Sequence, residues 1–473
     1  MAKRLSDGPT RREFLAASGL GALGTPLAIG AESRPPKAKA CILLFLYGSP
    51  PQHETFDPKP DAPREIQGEL GSIPTSLPGV RFCERLPRVA SLAHELTVVR
   101  SMTHPYPVHG VAYAVSGIPT YDPSLETRAR DSRHWPYLGS VVDHLSKRDN
   151  TRVPRNIALP WMLNSKTDLL VNAGPFAAFL GQGHDPVWTD YTGKGVRVVP
   201  KYTDGQAKEF HDPYGGCTPV GTFQLSDAAV PPPDVIAARL DDRRALLEQF
   251  DRVNGTRRTP LERQREQAFA LIASRQVRKA LDITHEPIGV RESYGMTLFG
   301  QSCLAARRLV EAGSQFISVF WDGFGQFGNC GWDTHNNHYP RLKEYLLPGF
   351  DVAYSGLIRD LKARGLLDET LVMCISEHGR TPQIDSKPKG AGRHHWSRAY
   401  SAVFAGGGIA KGKIVGATDK IGGDVKDCPV SPKDVLATSL HLLGFDPHAT
   451  VPDLQGKPMP VVGEGAVRGE MVG

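Results

Sequence analysis

CILLFLYG, residues 41–48, is an unbroken apolar run closed by a glycine and followed by Ser-Pro-Pro. A strand with one wet face would alternate polar and apolar side chains. A short continuous run bounded by turn residues suits a strand buried on both faces. Five more runs share this character: LTVVRSM (96–102), NIALP (156–160), SQFISVFW (314–321), TLVMCIS (370–376) and AYSAVFAG (399–406). Helical patterns lie between several of them. ERLPRVASLAHE (84–95), WPYLGSVVDHLSK (135–147) and GMTLFGQSCLAARRLVEAG (295–313) are amphipathic, the last ending on Gly313 as a C-cap. LKEYLLPGFDVAYSGLIRDLKARG (342–365) is interrupted at Pro348 and closed by Gly365. SPKDVLATSLHLLG (431–444) opens with Ser431 as N-cap, Pro432 in the first turn and Asp434 three residues on. Buried strands alternating with helices predict an α/β fold, with a mainly parallel sheet covered on both faces. In such sheets, ligands bind beyond the carboxyl ends of the strands.

The 473 residues carry 40% hydrophobic and 22% charged side chains, enough length and apolar content for a sizeable core. Fifty-six basic residues against 50 acidic ones leave a formal charge of +6 with no long like-charge block. Nucleic acid is therefore not an expected partner. Arg11-Arg12, Phe14-Leu15 and a weakly apolar run of Ala, Gly and Leu form a twin-arginine (Tat) pattern, read as a signal peptide over 1–31. That run is too short and too broken by Gly and Pro for a transmembrane anchor. The expected destination is the periplasm or the extracellular space, with the Tat machinery as a partner. Residues 32–40 read as a linker. Residues 165–233 read as a loop-heavy insertion with short strands, and 234–284 as a helical hairpin, so the insertion spans about 165–290. Residues 456–473 read as a C-terminal tail. The seven cysteines form no C-x-x-C pair, so no cysteine-rich zinc site is expected.

Three polar patches follow the late strands. GWDTHNNHYP (331–340) holds Asp333, His335 and His338. SEHGRTP (376–382) places Glu377 and His378 where a buried strand ends, with Arg380 beside them. GRHHW (392–396) adds His394 and His395 before the next strand. Carboxylate with imidazole suits zinc or another borderline divalent ion, with calcium, manganese and magnesium as alternatives. Arg380 has the fork to clamp an anionic oxygen. Each patch also has a plainer reading: a solvated turn, an Arg380–Glu377 ion pair, or one buried and one surface histidine.

In this order, Asp…His, then acid-His, then His before a strand, the patches resemble the alkaline-phosphatase superfamily, which includes sulfatases. Together with TFDPKPDAP (55–63), WPYLGSVV (135–142), RESYGMTLFGQSCLAARRLVEAG (291–313), GLLDETLVMCISEHGRTP (365–382), FAGGGIAKGKIVGATD (404–419) and SPKDVLATSLHLLGFDP (431–447), they resemble an uncharacterised bacterial family of Tat-exported proteins within it. The resemblance implies an alkaline-phosphatase-like three-layer α/β/α sandwich over 41–455. It places Asp333, His338 or His335, and His395 or His394 on one ion, and Glu377-His378 on a second. The second ion also needs an aspartate after the first strand, where this chain reads Tyr47-Gly48-Ser49. His53, Glu54 and Asp57 are the nearby substitutes. A nucleophile should follow the second strand, where Ser101 and Thr103 stand, with His104 and His109 alongside. The expected function is an exported metal-dependent hydrolase of phosphate or sulfate esters, acting on a small-molecule or glycan ester. The alternative is a non-catalytic protein on this fold that holds a metal or an anionic envelope or glycan ligand.

Overall fold

The computed structural model describes residues 36–106, 109–118, 122–146, 153–163, 173–201, 208–226, 274–322, 331–386 and 390–473. The twin-arginine segment and most of the expected helical hairpin lie outside the described residues. Residues Pro36–Gly473 group as one compact unit.

Nine strands build the central sheet. They are β1 (Ala40–Leu46), β2 (Leu96–Met102), β3 (Asn156–Leu159), β4 (Val187–Tyr191), β5 (Phe223–Leu225), β6 (Phe316–Trp321), β7 (Thr370–Ile375), β10 (Tyr400–Ala405) and β11 (Lys413–Val415). A two-stranded ribbon of β8 (Gly379–Arg380) and β9 (His395–Trp396) stands outside it. The sheet order is β11-β2-β10-β7-β1-β6-β3-β4-β5. Only β10 and β5 run against the other strands. The chain is thus a mixed α/β protein with a mostly parallel sheet, as the apolar runs predict.

β1 shows why its sequence does not alternate. Ile42, Leu44 and Leu46 enter one core, packed with Val89, Leu304 and Leu357. Cys41, Leu43 and Phe45 enter the other, packed with Val115, Val141 and Leu440. The first set of partners comes from α1 (Pro87–Ser91), α4 (Leu298–Glu311) and α5 (Leu347–Ala363). The second comes from α2 (Val111–Ser116), α3 (Leu138–Leu145) and α6 (Pro432–Leu442). The three-layer sandwich follows, because period-two side chains leave β1 no wet face. Burying each large apolar side chain contributes about 1.5–3 kcal/mol.

The helix ends obey the sequence signals. Ser431 and Asp434 form a reciprocal capping box at α6, and Thr297 caps α4 through the Gly300 N–H. Gly313 and Gly365 close α4 and α5 in the left-handed region, at φ +99° and +70°. The interruption at Pro348 is a π-helical turn over Leu342–Leu346, after which α5 begins.

Two expected boundaries shift. Val187–Tyr191, inside the expected insertion, is β4 and pairs in parallel with β3, so this part belongs to the core sheet. Residues 456–473 are docked: Pro458–Pro460 pairs with Thr450–Pro452, and Met471 is buried and accepts from the Ala410 N–H. No helix among the described residues is long and apolar enough to cross a membrane. The six described cysteines are free thiols.

Candidate metal centre

The carboxyl ends of β7, β1 and β6 are neighbours on one rim of the sheet, and the polar patches project from that rim. β7 releases Glu377 and His378. β1 releases Gly48 and Ser49. The segment after β6 returns with Asp333 and His335, and the ribbon strand β9 begins with His395. The loop after β2 contributes His109.

Two groups with metal-ligand spacing result. His109, His378 and His395 form one, and Asp333, His335 and His395 the other, with candidate ligand atoms in each lying within 4.8 Å of one another. Asp333 Oδ1 lies 3.0 Å from His335 Nε2 and 3.3 Å from His395 Nε2. Its Oδ2 lies 3.6 Å from His109 Nε2. His335 Nε2 and His395 Nε2 are 3.0 Å apart.

The tautomers are set from behind. His378 is fully buried, and its Nδ1 lies 2.8 Å from the Gly379 carbonyl. A carbonyl can only accept, so Nδ1 carries the proton and Nε2 presents a lone pair. That Nε2 is buried and has no hydrogen-bond partner. Burial, with the Arg380 charge, holds the imidazole pKa well below its usual value, so the ring is neutral. His109 is held likewise, with Nδ1 2.9 Å from Glu377 Oε1. Burial opposes charge on His109, but hydrogen bonds to Asp333 and Glu377 outweigh it and raise the metal-free pKa to about 10. Burial lowers His395. Asp333 is kept ionised, its pKa well below the usual range despite burial, by Arg380 first and then by the imidazoles.

An orphaned imidazole nitrogen converging with other imidazoles and an ionised carboxylate is the donor set of a zinc-type site. The residues therefore fit a divalent ion. His109, His378, His395, Asp333 and His335 are the groups that would hold it.

The remaining predicted residues fall elsewhere. His338 is fully buried, 3.4 Å from Glu54 Oε2, with Nδ1 2.8 Å from Thr334 Oγ1. Of the two histidines open for the Asp333 group, His335 joins it. His394 sits one step out: its Nδ1 meets His335 Nδ1 at 2.8 Å, and its Nε2 meets Asp385 at 2.9 Å. Asp57 is committed to Lys59 at 3.0 Å and accepts from the Thr418 hydroxyl. Arg380 is fully buried and donates to Asp333 Oδ1 at 2.6 Å, to Ser49 O at 3.1 Å, and to the Gly48, Trp332 and Arg393 carbonyls. Its fork is filled by the protein, so it anchors Asp333 and does not face a substrate oxygen. Ser101 is fully buried, with its hydroxyl donated to the Cys428 carbonyl at 2.5 Å. Thr103 lines a cavity of about 440 Å³ with Arg398, Asp424 and Lys426, outside the imidazole groups.

His109 is the member that the motif order did not assign. Its signal was positional, a histidine in the loop after a strand that ends on the ligand rim.

No protein of curated function matches the sequence. Solved structures with a similar chain course include Ps i-CgsB, at 12% identity and a TM-score of 0.38, over 86% of this chain and 72% of that one. Another is the PsFucS1 sulfatase from Pseudoalteromonas sp., at 13% identity and a TM-score of 0.36, over 92% of this chain and 72% of that one. A third is the phosphonate monoester hydrolase SpPMH from Silicibacter pomeroyi, at 13% identity and a TM-score of 0.31, over 91% and 75%. The sequence matches one family across residues 38–472, nearly all of the compact unit, and the chain belongs to it: Protein of unknown function (DUF1501).

Proposed function

We propose that the protein is a metal-dependent hydrolase of phosphate or sulfate esters, exported by the Tat route and acting outside the cytoplasm. The observation that carries this reading is the buried, partnerless Nε2 of His378, which shares ligand spacing with His109 and His395 at the carboxyl rim of the sheet, where both of those rings also meet the Asp333 carboxylate. A divalent ion bound there, with zinc the best match to the imidazole-rich donors, supplies Lewis-acid polarisation of an ester oxygen and acidifies water. The chain's own residues do the rest. Gly379 O and Glu377 fix the tautomers of His378 and His109. Arg380 holds Asp333 in place and in its ionised form.

Metal analysis of protein folded in its native host tests the reading, together with a panel of aryl phosphate monoesters, diesters and sulfates. Bound metal with turnover of an ester supports it. Metal with no turnover on any ester supports the second reading, a metal-holding binding protein. The observation favouring that second reading is the Ser101 hydroxyl, which is spent on a backbone carbonyl and not poised to attack.

A further inference from the structure

Among the described residues, the carboxylates around the rim are divided between two kinds of work. Gly48 stands where an acidic ligand would have to follow β1. It adopts φ +95°, and a Cβ there would lie 2.4 Å from the Asp333 backbone nitrogen. No side chain fits at this point, so no carboxylate can occupy it. The two acids that follow in the chain after β1 turn to other partners. Asp57 is held by Lys59, and Glu54 by Arg393 at 2.6 Å.

The lone pairs set a second limit. Both groups with ligand spacing include His395. A neutral imidazole offers one nitrogen lone pair, so His395 serves one ion at a time. Glu377 completes the argument. Its Oε1 accepts from the Gly48 N–H at 2.8 Å and from His109 Nδ1 at 2.9 Å. A carboxylate that grips a histidine from behind directs that ring's other nitrogen to the metal.

We infer that the site takes a single divalent ion per chain, with Glu377 outside its coordination as the positioning residue for His109 and for the β1 turn. This separates the adjacent Glu377 and His378 into different roles, orienting group and ligand. It rests on the metal-site reading above and concerns the ion's count and surroundings, not the reaction. Glu377 Oε2 is buried without a hydrogen-bond partner, which makes it the atom a direct bond would have to use. Glu377→Gln tests that point, because the amide keeps Oε1 as an acceptor and replaces the charged oxygen.

The experiment uses the full-length protein. Zinc is titrated by equilibrium dialysis with elemental analysis, and the visible spectrum of the cobalt(II) form is recorded for the natural chain and for Glu377→Gln. The expected results are saturation at about one ion per chain, unchanged cobalt band positions in Glu377→Gln, and affinity lowered about 10–100-fold, the usual range for an outer-shell partner. Saturation at two ions, or a changed cobalt spectrum in Glu377→Gln, would overturn the inference. The stoichiometry of the natural chain decides the count even if the variant fails to fold. One ion without ester turnover would remove the hydrolase reading and leave this inference standing. Two ions with turnover would do the reverse, and no ion at all would remove both.

Discussion

Two clusters built from the same side-chain types lie close together in the chain and end up as opposites. His335 and His338 are three residues apart, yet they join different networks. In one network, Glu54 Oε1 is held by Arg393 at 2.6 and 3.1 Å, and Arg393 spends its other donors on the Ile66, Thr381 and Pro382 carbonyls. His338 packs against Glu54 with its Nδ1 on Thr334. All three of these residues are essentially inaccessible. In the other network, three imidazoles gather on the Asp333 carboxylate, and His378 Nε2, grouped with two of them, is left without a hydrogen bond. The joint of acid, histidine and arginine also keeps an imidazole nitrogen without a hydrogen bond, but there His338 Nε2 faces only the Glu54 carboxylate, at 3.4 Å. What sets the rim apart is its excess of imidazole over acid, which makes a ligand set.

The comparison breaks most cleanly at His378 and His338. His378→Ala should strip the ion and abolish ester turnover, read by elemental analysis and assay. His338→Ala should retain the ion and lower the melting temperature. Equal metal loss in both would erase the distinction drawn here. Next in size is Glu54→Ala, which leaves the Arg393 guanidinium buried without its carboxylate. Stability should fall by about 3–5 kcal/mol in urea unfolding, with metal content kept.

The pH dependence of the metal-free protein sharpens the contrast. His109 has a folded pKa of about 10, above its ordinary 6.5. Its contribution is complete below pH 6.5 and is lost as pH rises toward 10. Glu54 is opposed by burial, but Arg393 and His338 depress it to about 2, from 4.5. Its contribution is complete above pH 4.5 and is lost as pH falls toward 2. Melting temperatures of His109→Gln should be flatter than those of the natural chain on the alkaline side only. Zinc affinity should rise as pH rises, because binding must displace the His109 proton. The smallest effect is expected at Thr103→Ala: unchanged metal content and stability within about 0.5 kcal/mol. A loss of turnover at full metal occupancy would identify its hydroxyl as the attacking group.

The buried strands were legible because a parallel sheet covered on both faces needs unbroken apolar runs. CILLFLYG and TLVMCIS carry that pattern, and they became β1 and β7 within a residue or two. VWTDY carries it poorly: β4 lies toward the sheet's edge, with Asp190 only half-buried, and its pattern resembles the loops around it. At the site, motif order pointed to Asp333 and His378 and left His395 and His394 as alternatives. The choice of His335 over His338 could not be read from that order, because it depends on Glu54 and Arg393 arriving from distant parts of the chain. The role of Arg380 was hidden for a similar reason. A guanidinium facing four carbonyls and a carboxylate reads in sequence like one that faces a substrate.

His109 and Glu377 meet across 268 positions of chain, and Gly48 reaches Glu377 across 329. Bringing such distant points together carries a large entropic cost and happens only once the strands between them have found their order. A partly assembled chain therefore offers no cradle for the cation. On the proposed reading, uptake of an ion would report that the topology is complete, and binding would then draw the equilibrium further toward the finished structure.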